Sequence, residues 1–384
     1  MVKIRHQLMG LGFIAASSVL AMGAAHAMTG QTNIKVDGGP LGQLEMSGGV
    51  AGDGYVMSNP ADGVKQSGLN TDAFYLQFGK STGVVQWFLQ FGNGDGVDGY
   101  TPGVVPSSVS TNNLNASPDG KRGTSIVNKA YATIAPPNFP VTFSAGILGG
   151  TQGYESGTSW NNVSLFASPI DYVESGNQIG VNANITEGPA NLLVQFGDVD
   201  GTRVFNTLEL LGNYNFDSNN VLSAFATIKL GSVGNNASGG SPVGPNSNAY
   251  GAYYSWTQGN LNLVPEVQYL YAKVNHRVGI DKFSSNLGIA LFGDYSFANT
   301  PYSLGAWAGW DKSIGNGITV YGANDESVTF AVSPTWQYKY VYARLNGAVV
   351  SLLNAKGPLS VNYPGWAGAD KTQFVGAIDT GFVF

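Results

Sequence analysis

Very few side chains in this sequence could do covalent or metal chemistry. Cysteine is absent, so thiolate metal sites and cysteine nucleophiles are excluded. Beyond residue 27 the one histidine is His276, beside Arg277 and Asp281. A single imidazole permits a general base, but no serine motif accompanies it, and enzymatic function is not expected. The run Asn93, Gly94, Asp95, Gly96, Val97, Asp98, Gly99 sets oxygen-bearing side chains at alternate positions, as a calcium loop does. It lacks the bidentate glutamate that completes such a loop, and it does not repeat. The same run is glycine-rich but precedes no helix, so it is no phosphate cradle. No cofactor or metal is expected.

What remains is a set of charges that fall in segments of alternating character: Lys129, Glu209, Lys229, Glu266, Asp294, Lys339, Arg344 and Asp379. Charges projecting from one face of β-strands into a pore can discriminate ions. For any one of them the plainer reading is solvation by lumen water or pairing with a neighbour. Because both signs occur, strong selectivity is not indicated.

The elements that would position these charges are strands. Charged residues make up only 11% of the chain, aromatics 12%, and there are 54 glycines, against about 25% charged in an average soluble domain. After residue 27 there is no long uninterrupted apolar run, so a helical membrane protein is not expected. Few charges with many aromatics and glycines suit strands that face lipid on one side. About sixteen alternating segments can be placed: 41–58, 72–82, 84–93, 125–135, 141–150, 177–187, 190–198, 203–216, 220–231, 248–258, 260–274, 284–297, 302–312, 326–339, 341–353 and 371–384. In the clearest, Val328, Phe330, Val332, Pro334, Trp336 and Tyr338 oppose Thr329, Ala331, Ser333, Thr335, Gln337 and Lys339. A soluble β-sandwich would carry charge on its outer face. Here the polar face is mostly Asn, Gln, Ser, Thr and Gly, which suits a water-filled lumen.

The connections alternate in length. Tight turns rich in Gly, Asn, Asp, Ser and Pro fall at 81–83, 136–140, 187–189, 217–219, 258–260, 298–301 and 339–340. Between them lie longer connections at 59–71, 94–124, 151–176, 232–247, 275–283, 313–325 and 354–370, with 198–202 as a short exception. Short turns on one rim and long loops on the other mark an outer-membrane barrel. The fold expected is therefore all-β: a transmembrane antiparallel β-barrel of about sixteen strands, wide enough to leave an aqueous channel.

The ends fit that address. Lys3 and Arg5, an apolar stretch over 8–25 and the Ala25, His26, Ala27 cleavage pattern read as a secretory signal peptide over 1–27. The barrel domain would then occupy 28–384, with 28–40 as a short periplasmic lead-in. Removing Lys3 and Arg5 leaves 16 cationic side chains against 24 carboxylates, a net of −8. That balance tilts towards cations and argues against nucleic-acid partners. The final segment ends on Phe382 and Phe384, expected to serve barrel closure and assembly by pairing with the first strand.

The chain resembles bacterial outer-membrane porins, in particular the proteobacterial β-barrel porin group. The resemblance rests on the succession of strands after a signal peptide. It also rests on Gly149 to Glu155 followed by Ser164, Leu165, Phe166 and by Gly176 to Val181, and on the pair Val328–Tyr338 and Tyr342–Asn346 before Phe384. It implies passive diffusion of small hydrophilic solutes and ions, and supplies no catalytic residues. The alternative is a structural or adhesive surface barrel with a plugged lumen. Partners would be outer-membrane lipid and lipopolysaccharide, whose phosphates Lys121 and Arg122 could face, the barrel assembly machinery, and two further copies in a homotrimer. In porins a long loop often folds inward. The preferred constriction loop is 151–176, with Glu155, Asp171 and Glu174 as its charges and Trp160, Phe166 and Tyr172 to pack on the wall.

Overall fold

The structure is a computed structural model that describes residues 28, 33–60, 66–93, 127–199, 202–234, 242–315, 317–318, 320–354 and 370–384, without the side chains of 70–73 and 93. The expected signal peptide, loop 94–124 with its calcium-like run, and Lys121 and Arg122 lie outside the described residues.

Seventeen strands are described: β1 (Ile34–Asp37), β2 (Gln43–Met57), β3 (Ser67–Lys80), β4 (Val85–Asn93), β5 (Val127–Ile134), β6 (Val141–Leu148), β7 (Gln178–Glu187), β8 (Ala190–Asp198), β9 (Thr207–Asp217), β10 (Asn220–Lys229), β11 (Asn248–Gln258), β12 (Leu261–Ala272), β13 (Ser284–Ser296), β14 (Tyr302–Ile314), β15 (Glu326–Tyr338), β16 (Val341–Leu352) and β17 (Thr372–Val383). From β2 to β17 each strand pairs antiparallel with the next, and β17 returns to β2. The register runs from Val375 opposite Met57 to Val383 opposite Gly49. Phe384 and Gly48 then exchange backbone hydrogen bonds of 2.9 Å in both directions. The result is a closed sixteen-stranded antiparallel barrel, in which each of β2–β17 is paired on both sides.

β1 was not expected. A 3-10 turn over Gly39–Leu41 folds it back on β2, pairing Ile34 with Met46 and Asp37 with Gln43. It lies in line with β17 along the same side of β2, just past Phe384, because β3 holds the other side of Glu45 and Met46. Four residues are too short to show a period, so nothing in the sequence distinguishes this strand from a lead-in.

Two boundaries also shift. β3 begins at Ser67 instead of 72, where a bulge between Ala51 and Gly52 absorbs a change of register. β9 begins at Thr207 instead of 203. Asp198 stops the chain by accepting from the Thr202 amide (3.0 Å), the Thr202 hydroxyl (2.9 Å) and the Arg203 amide (2.6 Å). Arg203 takes a φ of 64°, and the expected five-residue connection becomes 199–206.

Alternation then fixes the faces. On β17, Phe374, Ile378 and Phe382 are exposed outward while Gln373, Val375, Ala377, Asp379 and Val383 are buried inward. Aromatics gather on the outer face at both rims. Tyr214, Phe216, Tyr295, Phe297, Tyr338 and Tyr340 lie near the short turns, and Tyr250, Tyr269 and Phe283 near the long loops. Several touch, as Tyr214 with Phe216 (4.9 Å between ring centres) and Tyr340 with Phe382 (5.8 Å). Paired aromatic girdles around an apolar band are how a barrel meets the two membrane interfaces.

Phe384 completes the seam and packs on Phe382 at 5.7 Å. Deleting it should cut the yield of folded, membrane-inserted barrel several-fold, measured as heat-modifiable mobility on gels.

Candidate functional site

The connection between β6 and β7, residues 149–177, is not on the surface. It runs down inside the barrel along β8–β17 and β2. Val163, Leu165, Phe166 and Ile170 are buried in one cluster with inward residues of the wall: Val264 of β12, Phe292 of β13, Trp307 of β14, Ala331 of β15, Ala348 of β16 and Val375 and Ala377 of β17. Near the short-turn rim Trp160 packs with Tyr75, Tyr342 and Val383, its ring 4.9 Å from that of Tyr75. The loop therefore reaches almost through the full depth of the barrel. The polar inward face expected on β15 is consequently not a water-lined surface. Thr329, Ser333 and Thr335 are buried, and Ser333 donates to Ser164 of the loop (2.8 Å).

An irregular backbone at membrane depth needs a partner for every polar group, and the wall supplies them through side chains. Trp307 Nε1 donates to the Phe166 carbonyl (2.8 Å) and Gln268 Nε2 to the Ile170 carbonyl (3.0 Å). Gln195 Nε2 donates to the Gly149 carbonyl (3.0 Å), and the Leu165 amide donates to Asn346 Oδ1 (3.1 Å). Arg344 is the central clamp. Its Nε and Nη2 donate to the two carboxylate oxygens of Asp379 at 3.0 Å each. Its Nη1 donates to the carbonyls of Asn162 (3.0 Å) and Ser159 (3.3 Å). Both side chains of the pair are completely buried. Two wall glycines make room for the loop. A Cβ at Gly305 would come within 1.9 Å of the Val163 carbonyl oxygen, and one at Gly288 within 2.0 Å of Ile170 Cγ2.

The sequence-derived charges fall into four groups. Glu266, Asp294 and Glu209 point inward beside the loop. Glu266 Oε2 accepts from the Tyr154 amide (3.2 Å), and Asp294 Oδ2 accepts from Asn262 (3.2 Å). Glu209 accepts from Ser175 (3.2 Å) and Gln195 (3.1 Å). Lys229 donates to Thr207 (3.0 Å), and Lys129 sits half-buried opposite Gln90. Arg344 and Asp379 face inward but are spent on each other and on the loop. Lys339 is a correction: it is not on the wall. β15 ends at Tyr338, and Lys339 occupies the two-residue turn with φ 54°, exposed, its ammonium 5.5 Å from the Tyr338 ring. The alternation that assigned it to the inward face stops where the turn begins.

The loop's own charges gather against Glu266. Glu155 accepts two hydrogen bonds from the Ser168 amide, at 3.2 and 3.0 Å, and a very short one from the Ser168 hydroxyl. Burial pushes its carboxyl up to about 8; Ser168 opposes the shift, and the Glu266 charge adds to it. Glu174 lies over Gly153, where a Cβ would fall 2.1 Å from Glu174 Oε1. Burial, then the charges of Glu266, Asp171 and Glu155, hold it well above the usual carboxylate range. His276 is elsewhere, exposed in the connection after β12 and 3.0 Å from Asp281. Among the described residues, no group of three His, Cys, Asp or Glu side chains is placed to hold a metal ion.

Sequence reasoning missed Gly288, Gly305, Trp307, Asn346, Gln268 and Gln195 as residues that seat the loop. A signal was present: the inward positions of β12–β17 include Val264, Phe292, Trp307, Val350 and Val375, too apolar for a wall facing water.

A closed sixteen-stranded barrel with aromatic girdles and a long loop folded into its lumen is a membrane barrel of the porin class. The chain belongs to the family described as "Putative beta-barrel porin-2, OmpL-like", whose pattern matches residues 47–384. It is an outer-membrane protein. In fold it is similar to outer-membrane expressed OmpT of Vibrio cholerae, at 11% identity and a TM-score of 0.56, covering 92% of this chain and 100% of that one. A trimer form of in-vitro folded Vibrio cholerae OmpT matches at 10% identity and 0.55, over 89% and 99%. Salmonella typhi OmpF in complex with daunomycin matches at 14% and 0.53, over 92% and 100%. No curated protein matches by sequence.

Two outcomes are expected of the clamp and its seat. Arg344→Met strands Asp379 as a buried lone charge, so the barrel should lose about 3–5 kcal/mol of unfolding stability, read from urea titration of the gel-resolved folded form. Gly305→Val should displace the loop and raise the single-channel conductance step, whereas Gly347→Val, where a Cβ would meet open space, should not.

Proposed function

We propose that the protein is a porin: a water-filled channel through which small hydrophilic solutes and ions diffuse passively, without enzymatic activity. The observation that carries this reading is the one-sidedness of the inserted loop. Apart from Asn177 at its end, whose Nδ2 donates to the Asn128 carbonyl of β5 (3.3 Å), its hydrogen bonds and packing contacts among the described residues fall on β2, β3 and β8–β17. The inward faces of β4–β6 and of the short-turn half of β7 keep Gln86, Phe88, Lys129, Thr142, Ser144 and Asn184 half-buried. Polar side chains here pair across strands, as Thr133 with the half-buried Ser144 (2.8 Å). The constriction role of Glu155, Asp171 and Glu174, and the pore-lining roles of Lys129, Glu209, Lys229, Glu266 and Asp294, belong to this proposal.

The depth to which 149–177 fills the barrel favours a second reading, a surface barrel whose lumen is plugged. A homotrimer is a further part of the proposal, supported by the trimer form of the Vibrio cholerae protein.

Purified protein added to a planar bilayer should give stepwise, voltage-sustained conductance increments. If currents stay at baseline over a range of voltages, the lumen is plugged and the second reading stands. Unheated gels after mild detergent extraction should show a band near three times the monomer mass; a monomer-sized band alone would remove the trimer.

A further inference from the structure

We propose that a hard divalent cation, calcium, binds at the long-loop end of β13–β15, held by Asp311 of β14, Asp325 of the connection after β14, and the side-chain oxygen of Asn286 of β13. The site lies apart from the carboxylates of the inserted loop, and it does not depend on whether the lumen conducts.

Strand register brings these residues together. Gln268, Gly288, Asp311 and Ser327 lie opposite one another in a row across β12–β15, and the side chains of Gln268, Asp311 and Ser327 are buried on the inward face. One step towards the long loops on the same face, Asn286 lies opposite Ser313. The Ser313 amide donates to the Asp325 carbonyl (2.9 Å), so Asp325 continues that second row. Directly opposed side chains on adjacent strands start roughly 5 Å apart. Asp311 Oδ1 accepts from the Ser327 hydroxyl, and its Oδ2 accepts from Asn286 Nδ2 (3.4 Å). Asp325 Oδ2 accepts from the amides of Tyr321 (2.8 Å) and Gly322 (3.2 Å), and the Asp325 amide donates to Ser313 Oγ (3.1 Å). The two carboxylates are close enough for the charge of Asp325 to act on Asp311.

A second observation points to a ligand. Oδ1 of Asp325, Oδ1 of Asn286 and Oε1 of Gln268 meet no hydrogen-bond donor among the described residues. The residues that carry them are no more than 1% exposed. The orientation of Gln268 is fixed, because its Nε2 holds the Ile170 carbonyl (3.0 Å). The Asn286 oxygen borders the gap that Gly288 leaves, 3.8 Å from where a Cβ would sit, and Asp311 is the residue across from Gly288. A buried acceptor without a donor costs free energy. One cation can satisfy several such oxygens at once, whereas a proton serves one carboxylate and no amide oxygen.

The donor set decides the ion. Oxygen ligands alone select a hard cation, and two carboxylates balance a double charge. Calcium takes about 6–8 oxygens in flexible geometry, whereas magnesium demands a near-octahedral set, which side chains fixed by strand register are poorly suited to supply. The ligands come from separate stretches of chain, so no contiguous loop pattern announces them. The bound ion would tie the connection after β14 to the wall beside the seat of Ile170. Val320 and Tyr321 of that connection already pack on Val350 and Leu352 of β16.

The test uses full-length barrel refolded in detergent, free of lipopolysaccharide, whose phosphates also bind calcium. After dialysis against micromolar calcium and desalting, bound metal is counted by mass spectrometry. About one calcium ion per barrel is expected, and calcium should raise the melting temperature of the chelator-treated, gel-resolved folded form more than magnesium does. Asp325→Asn should weaken calcium binding by at least roughly tenfold, and Asn286→Leu, which keeps both carboxylates, should weaken it in the same direction. Should either variant fail to fold, the other and the metal count of the unaltered protein decide. No calcium on the folded unaltered barrel, or calcium that both variants retain unchanged, would overturn the proposal, and the porin reading would stand in either case.

Discussion

A backbone in lipid has no water to bond with, and that constraint organises this protein twice. It closes the wall, because a sheet edge inside the membrane would leave a row of unpaired amides and carbonyls. Hence β17 must find β2, and Phe384 must find Gly48. The same constraint reappears inside, where 149–177 descends without regular structure. Its carbonyls would be orphaned against an apolar wall, so the wall answers with donors from Trp307, Gln268, Gln195 and Arg344.

Arg344 shows how a charge can be structural although it sits where a pore residue would. Its side chain is buried, and a buried ion pair gains stability only when geometry is good and the remaining donors are used. Here Asp379 takes Nε and Nη2, and two loop carbonyls take Nη1. The residue therefore connects the closing strand, its neighbour and the inserted loop in one network. Glu266 is its converse. Its Oε2 accepts from the Tyr154 amide, while its Oε1 meets no hydrogen-bond donor among the described residues.

Much of the architecture was legible in the sequence for a local reason. Strand periodicity is two, so outward Phe374, Ile378 and Phe382 reveal themselves without knowledge of any neighbour, and turn chemistry confirms where each run stops. The errors fall where that local signal fails. β1 is too short to alternate. Asp198 ends a strand with side-chain bonds that have no period. Lys339 continues the parity of β15 one residue beyond the strand itself. The choice of 151–176 as the inward loop was reachable because Trp160, Phe166 and Tyr172 are costly to leave in water, though of these Tyr172 is exposed.

The sequence by itself determined that the chain is a barrel of about sixteen strands, which face meets lipid, and which loop has the apolar side chains to leave the surface. Those properties follow from the order of neighbouring residues. Only the tertiary structure decided what the inward charges do. Arg344 meets Ser159 across 185 positions of chain, and Glu266 meets the Tyr154 amide across 112. No periodicity links such distant residues, because their contact is set by how the loop packs against the opposite wall. The same inward parity therefore yields a clamp at Arg344, a buried acid at Glu266 and, one residue past a strand end, an exposed turn at Lys339.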